Sequence, residues 1–204
     1  MTALVIDGHP AAGSLTATLA RRYAEAHGDA ELLAVRDLDF DPILRGGYRT
    51  PQPLEPDLER ALDALLTASH LVVATPVWWA ATPALLKGFF DRVLLPKQTY
   101  RYRPNGFPEG LLPARTGRLL VTSDSPRWFL AWTGDPTVRQ VRNQTMRFCG
   151  VDTVRTTRFP SVRTADERTR AAWLSVVERI AGRDARATAG VGARTGRRDR
   201  ARAT

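Results

Sequence analysis

The stretch ALVIDGHPAAGSLTATLARRYA, residues 3–24, decides how the rest of the chain is read. Leu4, Val5 and Ile6 form an apolar run that stops at Asp7 and Gly8, which reads as a buried strand ending abruptly. Residues 9–13 suit neither strand nor helix, whereas Ser14 is a good N-cap for the apolar pattern Leu15, Leu19 and Tyr23. Strand, polar turn and helix in that order aim backbone N–H groups, the positive end of a helix dipole and the hydroxyls of Ser14 and Thr16 at one point, where an anion is stabilised. Taken alone, the stretch suits a phosphate site and an ordinary strand-to-helix turn equally, since it has neither a GxGxxG pattern nor a Walker lysine.

Composition narrows the class. A chain of 204 residues with 43% hydrophobic content suits one domain with a real core. No apolar run reaches the ~20 residues that span a bilayer, and residues 1–20 lack the basic and apolar regions of a signal peptide, so a soluble cytoplasmic protein without membrane insertion is expected. Cys149 is the single cysteine and follows Phe148, a context for packing rather than chemistry. His9, His27 and His70 are scattered without a second ligand at helical spacing, so no metal site is expected. The net charge of +9 would suggest nucleic acid if it were spread over the chain, but residues 183–204 hold seven arginines and two aspartates and leave only +4 on residues 1–182. With Val191 its only large apolar residue, the 183–204 segment reads as a basic disordered tail behind a domain of residues 1–182, and no nucleic-acid partner is expected.

The remaining elements alternate. Residues 31–35 form a second strand, and residues 41–56, with four prolines and the pair Gly46-Gly47, form a long loop. Leu58, Ala61, Leu62 and Leu65 repeat at helical spacing before an apolar strand at residues 70–74. That strand ends at Thr75-Pro76-Val77-Trp78-Trp79-Ala80, and a helix resumes after Pro83. Two adjacent tryptophans in a turn suit an aromatic ring system, with core packing as the bland alternative. Residues 94–115 form a long connection bearing Tyr100 and Tyr102. A fourth strand, residues 117–123, runs into Asp124, Ser125 and Pro126 before Trp128, Phe129 and Trp132. A helix from Val138 to Phe148, a fifth strand at residues 151–157 and a last helix at residues 166–180 follow. The alternation demands an α/β fold with a five-stranded parallel sheet and helices on both faces, in which ligands sit beyond the carboxyl ends of the strands. The turns at residues 9–14, 76–80 and 122–124 fall together there.

Three segments, GHPAAGSL at residues 8–15, TPVWWAATPALLKGFFDRV at 75–93 and MRFCGV at 146–151, together resemble the flavodoxin-like NAD(P)H:quinone oxidoreductases of the flavodoxin-2 type over about residues 3–180. The resemblance implies a flavodoxin-like fold, FMN or FAD as cofactor, NAD(P)H as co-substrate, a quinone-like acceptor and a homodimer. It implies that His9, Ser14, Leu15 and Thr16 hold the flavin phosphate, that Pro76, Val77, Trp78, Trp79 and Ala80 line the isoalloxazine, and that Thr122, Ser123 and Asp124 form the third flavin loop. It also implies substrate contacts by Tyr100 and Tyr102, which a partner subunit would lay over the flavin, and by Trp128 and Phe129. Two departures stand out: Asp124 and Ser125 replace a pair of glycines, and Trp128, Phe129 and Thr133 stand where a tyrosine and a histidine handle protons. The expected function is hydride transfer from NAD(P)H through flavin to a quinone, with no catalytic side chain assigned because the flavin carries the chemistry. The alternative is a flavin-binding ancillary or regulatory subunit of a potassium-efflux system.

Overall fold

The computed structural model describes residues 2–202, with side chains as far as Ala189. The strands are β1 (Ala3–Asp7), β2 (Ala30–Ala34), β3 (His70–Pro76), β4 (Tyr100–Tyr102), β5 (Pro108–Gly110), β6 (Thr116–Thr122) and β7 (Thr153–Phe159). The helices are α1 (Leu15–His27), α2 (Pro56–Thr67), α3 (Ala84–Val93), α4 (Arg127–Trp132), α5 (Pro136–Val138), which continues as a π-helix over Arg139–Met146, and α6 (Glu167–Arg202). Five strands form one parallel sheet in the order β2-β1-β3-β6-β7, as the alternation requires; β4 and β5 pair as a separate antiparallel hairpin inside the long 94–115 connection.

Alternate residues of β1, β3 and β6 serve two cores. Leu4 and Ile6 pack among Leu58, Leu65, Leu86, Phe89 and Val141 under α2, α3 and the π-helix, while Val5 points the other way into Leu19, Tyr23, Leu120 and Val177 under α1 and α6. The strand order changes direction between β1 and β3, so the connections leaving their carboxyl ends run to opposite faces of the sheet, α1 on one and α3 on the other.

The proline-rich loop at residues 41–56 is held from below by Arg92 of α3, which is 1% exposed. Its guanidinium donates to the carbonyls of Asp41 and Pro53, the latter at 2.7 Å, and to both carboxylate oxygens of Glu55 at 3.1 and 2.8 Å.

The expected domain boundary at residue 182 needs correction. Helix α6 runs through it, and Asp184 and Thr188 are buried. Asp184 accepts two hydrogen bonds from Arg118 in β6, at 2.5 and 2.9 Å, and one from the Tyr23 hydroxyl of α1 at 2.6 Å. An aspartate in a run of arginines and alanines reads as one more solvated charge, but its partner is a buried arginine in the middle of an apolar strand, and that pairing orders the helix. The part of the tail expectation that concerns the side chains of residues 190–202, and all of residues 203–204, lies outside the described residues.

Candidate active site

Three turns meet at the carboxyl edge of β1, β3 and β6. The first begins at Gly8, whose N–H donates to the carbonyl of Ala74 in β3 at 2.9 Å. A Cβ there would come within 2.4 Å of the Leu86 side chain and 3.1 Å of that same carbonyl, so glycine lets the turn lie flat between β3 and α3. His9 follows, half-buried, and its Nδ1 accepts from the N–H of Ala11 at 2.9 Å. Burial holds the imidazole pKa below its ordinary value, against the opposing pull of Asp7. The neutral ring therefore carries its proton on Nε2, free to donate. Ala11, Ala12 and Gly13 are exposed, and Ser14 caps α1 by accepting from Ala17 N–H at 3.1 Å. The N–H groups of Leu15 and Thr16, in the first turn of a 13-residue helix, have no intrahelical acceptor. Together with the Ser14 hydroxyl and His9 Nε2 they form a donor set suited to an anion.

Thr16 is placed differently from expectation. Its side chain is buried, and its hydroxyl lies 2.7 Å from that of Thr122 at the end of β6, so it ties α1 to β6 and leaves only its backbone N–H at the turn.

The second turn leaves β3 after Pro76, which is buried. Val77 donates to the carbonyl of Thr122 at 2.9 Å, and Trp78 and Ala81 exchange two backbone hydrogen bonds of 2.9 Å. Between them Trp79 and Ala80 adopt φ values of +50° and +61°. Two consecutive left-handed residues make a type I′ turn, a conformation that usually recruits asparagine and glycine. Trp78 is half-exposed, with its ring edge-on to His9 at a centroid distance of 5.5 Å, and Trp79 is fully exposed. Neither tryptophan fills the core. The turn closes at Thr82, whose buried hydroxyl has no hydrogen-bond partner among the described residues.

The third turn is tight. Ser123 is buried, its backbone is tied to Phe159 and Val162, and its hydroxyl accepts from Ser125 N–H at 2.9 Å. Asp124, expected at the cofactor, accepts from Arg163 N–H at 2.8 Å, so its carboxylate is committed to the neighbouring 162–164 turn. On α4, just beyond, Trp128 and Trp132 are largely exposed and flank Phe129 at 5.8 and 5.9 Å. Arg127 is the only ionisable residue of that helix, and the Thr133 hydroxyl is bonded to the carbonyls of Phe129 and Leu130.

Tyr100 and Tyr102 separate. Tyr100 is buried, with its ring 4.9 Å from Phe148, and belongs to the core of its own chain, whereas Tyr102 is exposed on the β4–β5 hairpin close to Phe107 at its tip, which is also exposed.

Three residues at this edge were not singled out from the sequence. Asp7 is fully buried beneath the first turn, Arg36 reaches it from the turn after β2, and Trp132 extends the aromatic face of α4. A carboxylate closing a buried strand was the legible signal, because it requires a partner.

The flavodoxin-like fold family matches residues 1–180 of the chain. Among curated relatives, an FMN-dependent NADH:quinone oxidoreductase of Azotobacter vinelandii is 35% identical over 52% of this chain and 60% of its own length. FMN-dependent NADH:quinone oxidoreductase 2 of Pseudomonas fluorescens is 31% identical over 69% of this chain and 75% of its own. Among solved structures, Smu.1420 of Streptococcus mutans UA159 superposes with a TM-score of 0.78 at 24% identity, covering 90% of this chain and 100% of that one, a likeness of fold. The sheet order, the turns at its carboxyl edge and this match along most of the sequence lead to one assignment: the chain belongs to the flavodoxin-like fold family.

Proposed function

We propose that the protein is an FMN-dependent NADH:quinone oxidoreductase. The observation that carries the reading is the convergence, at one edge of the sheet, of a capped helix N-terminus with a free imidazole donor and a turn that holds two tryptophans out of the core. The names of the relatives favour FMN and NADH within the wider flavin and nicotinamide classes. They give no support to a role on a potassium-efflux system.

The residues present suit the cofactor. The Leu15 and Thr16 N–H groups, the Ser14 hydroxyl and His9 Nε2 would hold a phosphate monoester at the first turn, with the helix dipole adding to each. Pro76, Val77, Trp78, Trp79 and Ala80 form the wall for the ring, and the unpartnered Thr82 hydroxyl is a polar group with a hydrogen bond still to make. Thr122 and Ser123 serve by holding the second and third turns together rather than by free hydroxyls. Bound FMN supplies two-electron redox chemistry between a nicotinamide donor and a quinone acceptor. The chain's own work is to bind, orient and shield. Trp128 and Phe129, with Trp132, offer flat faces to an aromatic acceptor, and their short helix brings no proton-exchanging group. Thr133 has its hydroxyl bonded back to the carbonyls of its own helix and is not free to donate to the acceptor.

The reading extends to a homodimer in which the β4–β5 hairpin carries Tyr102 and Phe107 over the partner's site, since two exposed aromatic rings on a hairpin are costly to leave in water. It places the protein in the cytoplasm; no described helix is long and apolar enough to cross a membrane.

The test is the absorption spectrum of the purified protein, mass analysis of any released cofactor, and turnover of NADH with menadione. A yellow protein releasing FMN and reducing menadione is expected. A colourless protein that takes up no added FMN would overturn the assignment.

A further inference from the structure

Asp7 is 0% exposed at the carboxyl end of β1, in a strand whose other residues are Ala, Leu, Val and Ile. One carboxylate oxygen accepts from the N–H of His9 at 3.1 Å, and the other accepts from Nη1 of Arg36. Arg36 lies in the short 3-10 turn Val35–Asp37 that follows β2, two residues beyond Ala34, the register partner of Asp7. The same Nη1 donates to the carbonyl of His9 at 3.2 Å. One guanidinium nitrogen thus bonds both to the buried carboxylate and to the backbone of the turn above it. The turn itself, GHPAAG at residues 8–13, contains no lysine or arginine.

This arrangement poses an electrostatic problem at the site read above as the phosphate end of a flavin, and the following inference rests on that reading. A buried carboxylate directly beneath an anion-binding turn opposes the anion, and the opposition is screened little away from bulk water. We propose that Arg36 is a positioning residue for the cofactor phosphate: it cancels the charge of Asp7 and, through the His9 carbonyl, holds the turn in the shape that presents its donors. The carboxylate in return orders the His9 N–H, so the pair acts as a unit that a neutral amide in place of Asp7 can replace once the arginine is gone.

The test uses the full chain stripped of cofactor and titrated with FMN and with riboflavin, which share ring and side chain and differ in the phosphate. The unaltered protein is expected to prefer FMN. Arg36→Ala should weaken FMN by about tenfold or more while riboflavin stays within about twofold. Adding Asp7→Asn to Arg36→Ala should recover most of the lost FMN affinity, because the amide oxygen still accepts from His9 N–H and carries no charge. Should Arg36→Ala fail to fold, Arg36→Lys keeps the charge on a shorter side chain that falls short of the turn, and its smaller loss should still be confined to FMN. Equal losses for FMN and riboflavin, or no loss for FMN, overturn the proposal. A double variant no better than Arg36→Ala also overturns it, by making Arg36 a direct phosphate ligand. An unaltered protein that binds flavin but not FMN over riboflavin discards the phosphate turn itself, and the proposal with it; one that binds neither discards the flavin reading.

Discussion

The hydroxyls of Thr16 and Thr122 meet at 2.7 Å across 106 positions of sequence, joining the first turn of α1 to the last residue of β6 beneath the candidate cofactor edge. Both side chains are buried, so each hydroxyl depends on the other for its partner. Removing one by Thr16→Val should cost about 1–3 kcal/mol, because the Thr122 hydroxyl is left unsatisfied, while the double Thr16→Val/Thr122→Val variant should recover most of that. FMN affinity should be unchanged in both. Chemical denaturation and flavin titration read the two quantities separately, and a loss of FMN binding confined to the Thr16 variant would restore its hydroxyl to the phosphate site.

The second prediction concerns Asp184. Its replacement by alanine strands the Arg118 guanidinium, which is 5% exposed, and should destabilise the fold by about 3–5 kcal/mol. The double variant Asp184→Ala/Arg118→Met should be more stable than the single one. A chain ending at residue 182 should be destabilised as strongly as Asp184→Ala, and a chain ending at residue 189 should not. Urea midpoints decide the matter; equal midpoints for both truncations would contradict the pairing.

Acid sensitivity follows from the same cluster. His70, buried between the Tyr23 hydroxyl at 3.1 Å and the Thr116 hydroxyl at 2.8 Å, has its pKa depressed to about 4, chiefly by burial and against the attraction of Asp184. His27, stacked on it at 6.1 Å, is shifted the same way, again chiefly by burial. Between pH 6.5 and 4 the unfolded chain binds protons that the folded chain refuses, so stability rises with pH through that window and is lost as pH falls. The His70 share is up to about 3 kcal/mol. Denaturation midpoints should change little from pH 7.5 to 6.5 and fall from there to pH 4.5, and His70→Asn should flatten the slope while lowering stability at the upper end.

The 77–82 turn offers a separation of strain from contact. Ala80→Gly removes a left-handed alanine without touching an aromatic ring, and should raise stability by about 1 kcal/mol with KM for the quinone unchanged. Trp79→Gly should stabilise similarly, since the fully exposed ring packs on nothing in its own chain, but should raise KM for the quinone severalfold. Identical kinetics for the two variants would remove Trp79 from the site.

For the dimer, light scattering should report twice the chain mass of 22.6 kDa. Tyr102→Ala should raise KM for the quinone more than it lowers flavin occupancy. Tyr100→Ala, by contrast, should act mainly on stability, at about 3–5 kcal/mol for a buried aromatic. A fully active monomer at nanomolar concentration would sink the shared site.

The sheet and its helices were legible because apolar periodicity is a local signal: the run at Leu4 to Ile6 and the helical spacing of Leu58 to Leu65 each declare themselves within a few residues. The three turns were legible for the same reason, as polar breaks after apolar strands. What stayed hidden was pairing over distance. Nothing near Thr16 shows that its hydroxyl is taken by Thr122, nothing near Asp7 names Arg36, and an aspartate among arginines gives no hint that it is buried. Tyr100 and Tyr102 look alike in sequence, and although both rings reach Phe148, one is buried in the core and the other lies largely in solvent.

The 66 positions that separate Arg118 from Asp184 also bear on the order in which the chain can close as it is made. Strand β6 leaves the site of synthesis well before its counter-ion exists, and a cation without that partner resists burial, so the end of the sheet around Tyr23 and His70 cannot seal until α6 arrives. The opposite edge is under no such delay. Every contact described for the three turns is made within the first 163 residues. A growing chain therefore possesses the parts of its candidate cofactor edge before it possesses the latch that completes its fold.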